Sequence, residues 1–89
     1  MTIPNLDAMP ADELMKFWGR YHRPRRKDAL ELIGGWRKGY ISIVESLAAY
    51  ACNKAVAMKL RADGEIERAT ICERCCDISY QKLPEDLRW

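Results

Sequence analysis

The placement of glycine and proline constrains this chain more than any other feature. Pro10, Pro24, Gly34-Gly35, Gly39, Gly64 and Pro84 divide it, and neither residue type occurs between Gly39 and Gly64. Proline ends helices because it lacks an amide hydrogen and clashes with the preceding turn, and glycine because it takes the left-handed conformation that a β-carbon penalises. The segments between these breakers carry apolar residues at spacings of three and four, and none alternates apolar with polar long enough to argue for a strand. The fold class read from this pattern is all-α: a small bundle of three to four helices with a long antiparallel C-terminal helical hairpin.

The first helix is expected to begin near Pro10, with Asp12 and Glu13 at the positive end of its dipole, and to stop by His22 because Pro24 pushes Arg23 out of the helical region. Pro24 then opens a second helix, roughly 24 to 33, closed by Gly34-Gly35. Ser42 and Glu45 fit a capping box for the third helix, which starts there or as early as Trp36 and runs to Ala62. Val44, Leu47, Ala48, Ala51, Ala55, Met58 and Ala62 form its stripe, mostly alanine, so a neighbouring helix is expected to approach closely.

The fourth helix, about 65 to 82, carries Ala69, Cys72, Cys76, Tyr80 and Leu83 on one stripe, while Ile71 and Ile78 lie on a different side. Two apolar faces imply two neighbours: the third helix, through the Asp63-Gly64 turn, and either the first two helices or a second subunit. The tail is expected to fold back so that Leu87 and Trp89 cover a hydrophobic edge.

Eighty-nine residues make a single helical domain, 1 to 89, with a thin core, because a chain this short buries only about 60–65% of its unfolded surface. Self-association is expected on that ground. A 48% hydrophobic and 31% charged composition excludes a disordered tail, and the net charge of +2 selects no partner. The first residues carry neither a basic nor an apolar signal region, and the longest apolar run, Leu47 to Cys52, is far below the roughly 20 residues of a membrane span. A cytoplasmic protein with free thiols and no membrane contact is therefore expected, and no cofactor is implied.

Three constellations bear on chemistry. Hinging the last two helices at Gly64 brings Cys52 level with Cys75 and Cys76, with Cys72 one turn away. Four converging thiolates suit zinc or an iron–sulfur cluster, but paired loop knuckles are absent and the plainer reading is a set of small core residues, with Cys75 the most exposed. Glu73 and Asp77, four apart on one helix, face Asn53 and Lys54 by the same arithmetic. They form either a carboxylate site or ordinary surface ion pairs. Arg20, Arg23, Arg25, Arg26 and Lys27 form the densest charge cluster, with Trp18, Tyr21 and Trp36 near enough in sequence to stack on bases. The plainer reading is a solvated basic corner, since the pI of about 8.4 is low for a dedicated nucleic-acid domain.

The Glu73/Asp77 pair resembles half of the magnesium-binding pattern of all-α nucleotide pyrophosphatases of the MazG-like family, although Asn53 and Lys54 stand where that family needs a second acid pair. Residues 53–76, with Val56, Ala57, Leu60, Gly64, Ile66, Ala69 and Cys76, resemble a single degenerate tetratricopeptide-type hairpin, which implies close helix packing and no peptide groove. The stretch from residues 50–55 through 78–84 resembles small uncharacterised reading frames of marine phages and metagenomes, which implies no known activity and suits a small regulatory or accessory protein.

These readings rank three function classes. A non-catalytic protein-binding or regulatory protein, homodimeric or bound to another protein through Ile71, Ile78 and Trp89, comes first. A nucleic-acid binder using the corner at 20–27 and Trp36 comes second, and a metal-dependent nucleotide hydrolase at Glu73 and Asp77 third.

Overall fold

The breakers act where the sequence puts them. The computed structural model describes residues 3–89, which form four helices and, among the described residues, no strand: α1 (Ala11–Tyr21), α2 (Arg26–Ile33), α3 (Tyr40–Ala62) and α4 (Ile66–Gln81). Short 3-10 turns at Leu6–Ala8 and Glu85–Leu87 flank them. Gly34 and Gly64 both take a left-handed φ of 81°, which turns the chain out of α2 and out of α3. Beyond them the Gly35 amide donates to the Leu30 carbonyl at 2.9 Å and the Glu65 amide to the Leu60 carbonyl at 2.8 Å. The carbonyls that a helix end leaves unpaired are satisfied in this way.

Two expected helix starts are corrected. Pro24 does not open α2; Arg25 is still extended at φ −70° and ψ 147°, and the helix begins at Arg26. The Ser42–Glu45 capping box does not form, because Gly39, left-handed at φ 75°, already turns the chain into α3 at Tyr40 and Ser42 lies inside the first turn. A helix from Trp36 is likewise absent, since residues 36 and 37 are irregular and 38 and 39 form a turn ahead of α3.

Helix α3 is the spine. Its 23 residues span about 34 Å of a molecule whose longest dimension is 42 Å. The other three helices each pack on it, and the antiparallel α3–α4 hairpin is the largest interface. Leu6, Leu14, Val44, Leu47 and Ala51 are completely buried where the N-terminal turn, α1 and α3 meet, and Leu83 and Leu87 close the same core from the tail. The alanine stripe is buried from Ala48 to Ala55, but Met58 and Ala62 at its end are exposed. Ile43, Tyr50 and Ala57, off that stripe, are buried instead, because α3 has neighbours on two sides and a single stripe describes only one.

Candidate interaction surface

Helix α4 shows its two faces as its periodicity predicts. Ala69, Cys76 and Leu83 turn into α3 and are buried, whereas Ile71 and Ile78, on the opposite side, remain 61% and 59% exposed. The alternative neighbours proposed from the sequence, the first two helices, do not cover them: α1 and α2 lie against α3. Trp89 does not share that surface. The tail folds back as expected, and the Trp89 ring packs edge-on against Tyr50 and Tyr80, both at 4.9 Å between centroids. Its proposed place in the interaction surface is therefore corrected to an intramolecular one, leaving Ile71 and Ile78.

What holds Trp89 is a polar cluster that the sequence did not reveal. The Trp89 indole donates to an Asp7 oxygen at 2.9 Å, the Tyr50 hydroxyl donates to the other Asp7 oxygen, and the Lys54 ammonium stands 3.6 Å from the carboxylate. Burial alone raises the Asp7 carboxyl, but the Tyr50 and Trp89 hydrogen bonds and the Lys54 charge outweigh it and hold it below its usual range. Burial, and after it the Asp7 carboxylate, push the Tyr50 hydroxyl well above the usual phenol range. These four groups join residues 43 and 82 positions apart, so no local pattern marks them.

The carboxylate pair does not converge on Asn53 and Lys54. Glu73 is held by Arg61, with contacts of 2.6 and 3.3 Å, while Lys54 is drawn to Asp7 and the Asn53 side chain donates to the Ala49 carbonyl of its own helix. Asp77 is exposed. Arg61 reaches diagonally across the hairpin, a length of side chain that the hinge arithmetic ignores.

The thiols converge less than the arithmetic implies. Cys76 is buried and its Sγ lies 3.6 Å from the Tyr50 carbonyl; burial pushes its thiol up to about 12. Burial also raises Cys52, which has Cys72 near it. Cys52, Cys72 and Cys75 are all half-buried, so Cys75 is not singled out. Among the described residues no three His, Cys, Asp or Glu side chains are placed to hold one ion.

The basic corner is real but only partly assembled. Arg23, Arg25, Arg26 and Lys27 are exposed and take part in no ion pair among the described residues. Arg20 is diverted to Asp28 at 3.7 Å and lies over the Tyr21 ring. Trp18 is occupied too, stacked on His22 at 4.3 Å. Trp36, 69% exposed, sits on the α2–α3 loop, whose Arg37 is tied to Asp86 near the tail by contacts of 2.8 and 3.2 Å. The expected aromatic platform beside the arginines is thus dispersed.

The structure defines a small all-helical bundle that leaves Ile71 and Ile78 uncovered on the outer side of α4. Among the described residues no helix is long and apolar enough to cross a membrane. Comparison with known families, with curated proteins and with solved structures found no significant match.

Proposed function

We propose that the protein is a non-catalytic helical binding protein that acts by protein–protein contact and forms a homodimer across the outer face of α4. The observation that carries this reading is the exposure of Ile71 and Ile78 on a helix whose other side is already packed. Covering one isoleucine completely contributes roughly 2 kcal/mol, and a symmetric dimer covers four. Arg61's hold on Glu73 supports the non-catalytic reading, and the four free thiols support a cytoplasmic setting. A small regulatory or accessory role fits such a protein.

Sedimentation velocity over a concentration series tests the reading. The wild-type chain should move from monomer to dimer as concentration rises, and Ile78→Glu should remain monomeric with an unchanged far-ultraviolet spectrum. A wild type that sediments as a monomer throughout contradicts the proposal.

The second reading rests on the four exposed, unpaired cations Arg23, Arg25, Arg26 and Lys27. Here the corner binds nucleic-acid phosphates, with the exposed Trp36 ring available to stack on a base. Affinity for a single-stranded oligonucleotide should then fall steeply with salt, and Arg25→Ala with Arg26→Ala should flatten that slope by about two counterions. Binding untouched by the double change removes this reading.

A further inference from the structure

The geometry points to one particular pairing on this face: a second copy of the chain laid antiparallel along α4, with the two-fold axis passing between Arg74 and Cys75. The inference deepens the homodimer reading and rests on it. At about 100° per residue, Glu67, Ile71, Cys75, Ile78 and Lys82 fall within roughly a quarter of the helix circumference, opposite the Ala69 and Cys76 side that meets α3. In a two-fold antiparallel pair, residues equally distant from the axis meet. Ile71 therefore lies against Ile78 of the second copy, and Glu67 lies opposite Lys82.

Charge selects this arrangement over its alternative. Glu67 stands in the first turn of α4 and Lys82 at its C-terminal cap; both are exposed, and neither is used in an ion pair within the described residues. Antiparallel pairing joins each acid to a base twice per dimer and sets the two helix dipoles in opposition. A parallel pair brings Glu67 against Glu67 and Lys82 against Lys82, contacts that destabilise helix pairs. The apolar content is equal in the two arrangements, so the end charges decide.

The test is charge exchange read by sedimentation equilibrium of the full chain. Glu67→Lys or Lys82→Glu alone should weaken dimerisation about tenfold, because each dimer contains the contact twice. The combined exchange should restore the dimer to within about twofold of the wild type. A short bis-maleimide should join Cys75 to Cys75 in the wild-type dimer, located by peptide mass mapping, since that thiol lies beside the axis in both copies. If the combined variant is no tighter than the single ones, or if the cross-link joins other cysteines, the antiparallel register is overturned while the homodimer stands. A chain that never dimerises overturns both.

Discussion

The two ends of the α3–α4 hairpin are built differently. At its base, α3 is covered by the N-terminal turn, α1, α2 and the tail, and the buried set includes Leu6, Leu14, Phe17, Tyr21, Leu47, Tyr50 and Leu87. At its tip, from residue 56 to residue 75, only Ala57 and Ala69 are buried, while Val56, Met58 and Ile66 are exposed. The base is a core in which large side chains interlock. The tip is two helices held by alanine contact, the Gly64 turn and the Arg61–Glu73 pair. Burial of large side chains, rather than helix propensity, supplies most helical stability, so the tip should open at lower free energy than the base.

The sharpest way to break this contrast is a cavity at the base. Leu47→Ala removes a completely buried side chain from the middle of the spine and should cost about 3 kcal/mol in a urea melt. For a chain of this size total stability is roughly 4–13 kcal/mol, so much of the fold is at stake. A loss below about 1 kcal/mol would show that the base is not the stabilising end.

Overfilling the tip comes next. Ala69 is fully buried at the helix crossing, and Ala69→Leu should cost about 2 kcal/mol by pushing the helices apart. Hydrogen exchange should quicken in residues 57–72 while amides near Leu47 stay protected. Uniform quickening along both helices would mean that the hairpin opens as one unit and the contrast is false.

The Asp7 cluster is expected to contribute less, because the Asp7 side chain is about half exposed. Asp7→Asn should cost about 1 kcal/mol after allowance for solvent screening and should loosen the tail, seen as a change in Trp89 fluorescence. The pH dependence has a definite sign. Folding depresses the Asp7 carboxyl, so its stabilisation is fully present above the unfolded value near 4 and is lost as pH falls through the lower folded value. The acid dependence of tail release should therefore disappear in Asp7→Asn, whose tail is loosened at every pH. The smallest effect belongs to Arg61→Ala, about 0.5 kcal/mol or less, confined to exchange rates at the tip.

How much of this was legible in the sequence follows the range of each interaction. The breakers act locally, so Gly34, Gly64 and Pro84 mark their boundaries, and a 3.6-residue period is enough to separate Cys76 from Ile78 on α4. The capping box failed because Gly39 turned the chain three residues earlier, a competition between two local signals that composition does not rank. The Asp7, Tyr50, Lys54 and Trp89 cluster was hidden because its members meet only after the N-terminal turn and the tail have both packed on α3. Pairing Glu73 with Lys54 failed because residue level along a hairpin ignores the reach of Arg61. The exposed side of α4 was legible because Ile71 and Ile78 fall on the opposite side of the helix from Ala69 and Cys76, and among the described residues none covers them.

A dilution series of amide proton–nitrogen correlation spectra tests the proposal that the protein meets a second copy on this uncovered side of α4. Concentration-dependent shifts are expected, centred on Ile71, Cys75 and Ile78 and extending to Glu67 and Lys82, with the aromatic base unchanged. Spectra that do not change with concentration, or shifts gathered around Arg23 to Lys27 instead, would contradict it.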